Sequence, residues 1–178
     1  LTRWDRQRNT FEYFKHDAKN PGSIGSNRIE MMTEDSQGNL WLAHENGLDC
    51  LPPGSKEFKH YLSNHFRTLC LTKSGILWLG TNNGIYKFDT QTRQAVVHKT
   101  VYSKVFNSEN NLDVTRIIED RSGVLWFGTG KDGLYEYNPI DDRLIIHTHS
   151  QQNVTSVSGN MIRGLYQDSQ GNIWVGTK

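Results

Sequence analysis

One short pattern constrains this chain more than any other: a polar turn, then Leu or Ile, then Trp, written four times. It reads Asp35-Ser36-Gln37-Gly38-Asn39-Leu40-Trp41, Thr72-Lys73-Ser74-Gly75-Ile76-Leu77-Trp78, Asp120-Arg121-Ser122-Gly123-Val124-Leu125-Trp126 and Asp168-Ser169-Gln170-Gly171-Asn172-Ile173-Trp174. The Trp residues lie 37, 48 and 48 positions apart, and recurrence on that scale marks a repeat architecture. Asp at the head of the turn can accept hydrogen bonds from the following backbone N–H groups, and Gly three residues on tolerates positive φ. Each copy therefore reads as a hairpin, within gapless units at 29–43, 66–80, 114–128 and 162–176. Thr72 replaces the Asp in the second copy, which predicts a less firmly braced turn.

A second unit also recurs, at 1–14, 48–61, 85–98 and 134–147. Ile85-Tyr86-Lys87-Phe88-Asp89 aligns with Leu134-Tyr135-Glu136-Tyr137-Asn138 and with Leu1-Thr2-Arg3-Trp4-Asp5, each followed by a turn and another apolar stretch. Each repeat is thus two hairpins, strands A–B around the Trp turn and then C–D. Four antiparallel strands every ~40–50 residues predict an all-β fold, a β-propeller of four-stranded blades. Full blades are expected at 27–62, 65–99 and 112–149, with 1–14 supplying the C–D half of a blade and 161–178 an A–B half. Three arrangements fit about four blades' worth of strands: a small ring closed by pairing N- and C-terminal strands, an open arc cut from a larger ring, or two chains sharing a ring. Opening and stopping in mid-repeat favours a piece of something longer.

Charge excludes some functions. With 20 basic and 19 acidic residues the net charge is +1, which gives no electrostatic case for nucleic acid or an anionic membrane. No apolar run approaches the ~20 residues of a membrane span. Cys50 and Cys70 lack metal spacing and read as small apolar strand residues.

The D-to-A connections differ most. Residues 62–65 form a short link, while 15–28, 99–113 and 148–161 are long. Two of these resemble each other, Asn20-Pro21-Gly22-Ser23-Ile24-Gly25-Ser26-Asn27 and Asn153-Val154-Thr155-Ser156-Val157-Ser158-Gly159-Asn160. In a four-stranded blade the D–A and B–C loops share one face, beside the inner mouth of the ring, and a ligand is expected there. Arg28, Arg67, Arg116 and Arg163 fall at or near the start of strand A; Asn27, His44, Asn46, His65, Asn83, Lys131, Asp132 and Asn160 fall in the loops. Arg and Asn at such places suit a sulfated or uronic sugar. Arg28, Arg116, Arg163, Asn46, Asn83 and Lys131 are the ligand-binding candidates.

The run Ile117-Ile118-Glu119-Asp120-Arg121-Ser122-Gly123-Val124-Leu125-Trp126-Phe127-Gly128-Thr129, followed by Gly133-Leu134-Tyr135-Glu136-Tyr137-Asn138, resembles a two-component regulator propeller repeat. So do Leu77-Trp78-Leu79-Gly80-Thr81-Asn82-Asn83-Gly84-Ile85 and Ile173-Trp174-Val175-Gly176-Thr177, and Asn20–Asn27 resembles the segment that often precedes such a repeat. Members of that family are periplasmic sensor halves of hybrid two-component systems, typically with two seven-bladed rings ahead of a membrane helix and a histidine kinase. The resemblance implies a fragment of a sensor ectodomain with an oligosaccharide ligand; other propeller or sensor domains of the same protein are expected partners, and two chains sharing a ring would make a homodimer. Copy one departs from the pattern, with Ala43-His44 where the others have Gly-Thr.

Other chemistry is weakly supported. A Trp at the same place in every blade suits packing between adjacent sheets better than sugar stacking. The Asp-to-Gly turns lack the alternating oxygen ligands and terminal Glu of a calcium loop. His147 and His149 share a strand face but have no third ligand nearby, so no metal and no cofactor is expected. Glu34, Asp35, Glu119 and Asp120 sit at repeat-determined positions, and no acid–base pair, nucleophile elbow or phosphate loop stands apart. The segment reads as a non-enzymatic sensor piece, with an interaction or dimerisation scaffold second and a glycan-active enzyme third.

Overall fold

The turn and alternation signals produce sixteen strands among the described residues. The computed structural model describes residues 1–96 and 112–178; the expected strand residues Val97 and His98 and most of the 99–113 connection lie outside the described residues. The chain divides into two compact units, Leu1–Phe66 and Arg67–Lys178.

In the first unit, β1 (Thr2–Asp5) and β2 (Thr10–Tyr13) form a two-stranded sheet, and β3 (Ile29–Glu34), β4 (Leu40–His44), β5 (Gly47–Leu51) and β6 (Lys59–His60) form a four-stranded antiparallel sheet in chain order. Its core gathers Phe14, Ile24, Leu42, Leu51 and Phe58. In the second unit, β7 (Thr68–Leu71), β8 (Ile76–Thr81), β9 (Gly84–Asp89) and β10 (Gln94–Val96) make one such sheet. The next holds β11 (Val114–Glu119), β12 (Leu125–Thr129), β13 (Leu134–Asn138) and β14 (Arg143–His147), and β15 (Ile162–Gln167) with β16 (Ile173–Thr177) makes a two-stranded sheet. Each hairpin that holds half a blade is a two-stranded sheet among the described residues.

The Trp-centred turn does more than reverse the chain. Asp35 Oδ1 accepts from the N–H groups of Gln37 and Asn39, both at 2.9 Å, while its Oδ2 accepts from the Trp41 indole at 2.8 Å. The indole bond recurs from Trp126 to Asp120 at 2.9 Å and from Trp174 to Asp168 at 2.8 Å. The repeat's Asp thus locks the turn and aims the Trp ring six residues on. Gly38, Gly75, Gly123 and Gly171 all adopt the positive φ that the turn requires, between 79° and 94°. In the second copy Thr72 Oγ1 accepts one longer bond, from the Ile76 N–H at 3.2 Å.

For Asp168, bonds from Asn172 and Trp174 hold the carboxyl down at about 2, well below the usual carboxylate range. A depressed folded-state value means the bracing is intact above the ordinary carboxylate range and fails as pH falls through about 2. A carbon-13 carboxyl titration is expected to place the Asp168 midpoint there; an ordinary midpoint near 4 would show that the indole bond is not made in solution.

Two adjacent sheets of the second unit pack through Trp78. Trp78 is buried against Phe127 and Tyr137, with ring centroids 5.7 and 5.9 Å away. The Gly of the Trp-x-Gly-Thr segment allows the close approach: a Cβ on Gly80 would stand 2.7 Å from Val114 Cγ1, and one on Gly128 2.6 Å from Ile162 Cγ2. Burial of the repeated Trp is uneven, contrary to the sequence expectation of sheet-to-sheet packing in every copy. Trp41 is fully enclosed, Trp126 is half-buried and stacked on His147, and Trp174 is 63% exposed. The reason lies in neighbours: Trp174 belongs to a two-stranded sheet, and among the described residues of its unit no further sheet covers that face.

Candidate ligand-binding face

Within each unit the D–A loops and B–C turns come together. The two long loops, 15–28 and 148–161, are built by one set of bonds at a constant offset of 133 residues. Asn27 Oδ1 accepts from the His16 N–H at 2.9 Å, as Asn160 Oδ1 does from His149 at 2.6 Å. The His16 ring bonds the Ile24 carbonyl through Nδ1 at 2.8 Å, and the His149 ring bonds Val157 at 2.9 Å. Ser23 Oγ accepts from Asp17 N–H and Ser156 Oγ from Ser150 N–H, both at 3.0 Å. Asn27 and Asn160 are therefore consumed in loop construction. His149 is too, and His147 instead meets Glu136 Oε2 at 3.0 Å, so the two histidines do not act as a pair. No group of three metal-ligating side chains occurs among the described residues.

The B–C turns are held by the residue that ends strand B. Thr81 and Thr129 are buried and donate to the carbonyls of Gly84 and Gly133 at 3.0 and 2.7 Å. Their hydroxyls also accept from the N–H groups of Asn83 and Asp132, both at 2.9 Å. His44 takes this role in the first unit, where its Nδ1 accepts from the Asn46 N–H at 3.2 Å.

Strand A begins with a register shift in three sheets, leaving Glu30, Thr115 and Arg163 as the extra residue. Such bulges re-aim side chains. In the first unit Arg28 is drawn into an acidic cluster: its Nε lies 2.8 Å from Glu30 Oε1 and its Nη1 4.0 Å from Glu45 Oε2. Ser26 Oγ donates to Glu45 Oε1 at 2.8 Å, and His65 Nε2 stands 3.5 Å from Glu30 Oε1. Asn46 donates its amide to the Gly25 carbonyl at 3.0 Å. Arg28 and Asn46 thus share one corner of this unit, and the two carboxylates offset the Arg28 charge.

The second unit is different. Arg67 is paired with Asp113. Arg116 and Arg163 are exposed and have no carboxylate partner among the described residues; Arg116 Nη1 donates to its own neighbour's carbonyl on Thr115 at 2.6 Å, and Arg163 Nη2 touches Met161 Sδ at 3.2 Å. Their strands are adjacent, since Thr115 Oγ1 donates to the Ile162 carbonyl at 2.7 Å. Lys131 and Asn83 are exposed on the B–C turns of this unit. Sequence reasoning named these cations but missed which are neutralised, because Glu30 and Glu45 reach Arg28 only after the chain folds. The apolar side of the β15–β16 hairpin, where Tyr166 and Trp174 are 66% and 63% exposed, also went unforeseen.

Comparison with known proteins now adds to the geometry. A model of the two component regulator propeller matches residues 23–46, 60–83, 108–131 and 156–178, more than half of the chain. "Histidine kinase P4" of Formosa agariphila is 40% identical over 98% of this chain, which spans only 13% of that protein's length. Among solved structures, the extracellular domain of BT4673 from B. thetaiotaomicron superposes with a TM-score of 0.81 at 22% identity, over 99% of this chain and 23% of that one. Virginiamycin B lyase of Staphylococcus aureus gives 0.65 at 12% identity, over 99% of this chain and 62% of that one. Identities this low show a shared propeller fold and nothing of activity. The family model, by contrast, covers all four Trp-centred copies, and the chain belongs to the two component regulator propeller family.

Proposed function

We propose that this chain is part of the periplasmic sensing region of a hybrid two-component histidine kinase, and that it binds an oligosaccharide bearing sulfate or carboxylate groups without acting on it chemically. The observation that carries the reading is the pair of exposed guanidinium groups, Arg116 and Arg163, which have no acidic partner among the described residues and lie on adjacent strands at the loop-bearing face. A guanidinium presents several donors in a planar fork that suits sulfate or carboxylate oxygens, and Lys131 adds a point charge in the same unit. The relative named as a histidine kinase and the extracellular solved domains support a sensory setting. Signalling requires that the ligand bind one arrangement of sensor domains better than another.

Isothermal calorimetry against neutral, uronic and sulfated oligosaccharides tests this. Binding confined to the anionic sugars and weakened about tenfold to a hundredfold by Arg116→Gln or Arg163→Gln is expected. Silence across the panel, or turnover of any sugar, overturns it.

An interaction scaffold is the second reading, favoured by the exposed aromatic face of Trp4, Phe11 and Tyr13 on β1 and β2. Concentration-dependent mass in light scattering, together with calorimetric silence, would favour that alternative.

A further inference from the structure

Copy one departs from the repeat at four places, and all four meet. His44 stands where the other copies carry Thr81, Thr129 and Thr177; Asp49 where they carry Thr2, Tyr86 and Tyr135; His60 where they carry Tyr13 and Ile146; and Gly25 where the twin loop carries Ser158. Asp49 is 1% exposed and sits at the centre. Its Oδ2 accepts from the Gly25 N–H at 2.7 Å, and its Oδ1 lies 2.6 Å from His60 Nδ1 and 3.0 Å from His44 Nε2. Gly25 is needed for this approach, since a Cβ there would come within 2.8 Å of His44 Cε1 and 3.2 Å of Asp49 Oδ1.

The proton inventory follows from the partners. His44 Nδ1 accepts from the Asn46 N–H, so in the neutral ring the proton rests on Nε2 and faces Asp49. His60 Nε2 lies 2.9 Å from the Pro21 carbonyl while Nδ1 faces the Asp49 carboxylate. With Asp49 ionised both partners are acceptors, and donating to both requires a proton on each ring nitrogen. A doubly protonated His60 would bridge β5 to the loop 15–28. We propose that Asp49 and His60 form a proton-operated clasp that holds the 15–28 loop onto its sheet, released when His60 loses its proton. The clasp stands whether or not the neighbouring face binds a sugar.

Among the described residues Asp49 is the charged partner of His60; Asp49 also faces His44, and Pro21 and Ser23 contribute backbone bonds. Burial opposes the imidazolium, but the bond to Asp49 and its charge outweigh this and raise the His60 pKa. Burial also opposes the Asp49 carboxylate, yet the facing His44 ring and the bonds from Gly25 and His60 hold its pKa down. The clasp is therefore fully closed below the ordinary His value, and it opens as pH rises through the raised one.

The twin loop 148–161 supplies an internal control, since it keeps the shared loop bonds but has Ser158 in place of Gly25. Nitrogen-15 spectra of the unmodified chain should show His60 doubly protonated at pH 6.5. Amide exchange at Gly25, referenced to the twin loop, should quicken about tenfold as His60 deprotonates. His60→Gln should abolish that pH dependence. A neutral His60 ring at pH 6.5, or the two loops changing in parallel, overturns the clasp.

Discussion

Trp41→Ala is expected to cost about 3–5 kcal/mol of folding stability, whereas Trp174→Ala, in a nearly identical motif, should cost about 0.5–1.5 kcal/mol. Trp41 is fully enclosed, its ring 5.4 Å from Tyr61 and its indole bonded to Asp35, so truncation leaves a large cavity and deprives the carboxylate of a donor. Trp174 has the same bond, to Asp168, but is 63% exposed, and its removal empties no core. Urea unfolding of the two variants, read for midpoint at constant slope, compares them directly. Equal losses would mean that the motif acts through its turn alone and that packing adds nothing.

The second large effect belongs to the glycine two residues after the Trp. Gly128→Ala places a Cβ 2.6 Å from Ile162 Cγ2 and 2.9 Å from Ile162 Cβ, a collision that must push neighbouring sheets apart. Overpacking of this kind costs about 1–3 kcal/mol. The equivalent Gly176→Ala meets nothing nearer than the Gly164 backbone at 3.5 Å and should be neutral, or slightly stabilising through reduced unfolded-state freedom. Coupling checks the cause: with Ile162→Ala already in place, Gly128→Ala should lose the part of its penalty due to Cγ2, while the Cβ at position 162 remains close. Additive losses in that double variant would point to strand propensity instead of sheet contact.

Much of the fold was legible because local rules and the repeat agreed. The Asp, Gly and Trp spacing predicted four hairpins, and β3–β4, β7–β8, β11–β12 and β15–β16 are those hairpins. Three of the four-strand groupings followed from the second repeated unit. Trp burial was not legible, since the exposure of Trp174 depends on whether a neighbouring sheet is present and not on its own motif. The Ala43-His44 departure read as an irregularity, yet His44 replaces the repeat's Thr in bracing the B–C turn and also faces Asp49. Only strand register brings His44, Asp49, His60 and Gly25 together. The signal was present in the aligned copies, as polar residues at positions that are Tyr, Ile or Thr elsewhere. Among the candidate cations, charge and loop position could not separate Arg28, which Glu30 and Glu45 offset, from Arg116 and Arg163, which have no carboxylate partner among the described residues.

The loop-bearing face of the propeller is proposed to recognise an anionic sugar through Arg116 and Arg163. Arginine side-chain NMR of the chain, titrated with sulfated and uronic oligosaccharides, tests it most directly. The account predicts that the Nε–Hε signals of Arg116 and Arg163 shift with the sugar while Arg121, on the Trp-turn side, stays fixed. Shifts confined to the Trp-turn side, or no shift with any of the sugars, would contradict it.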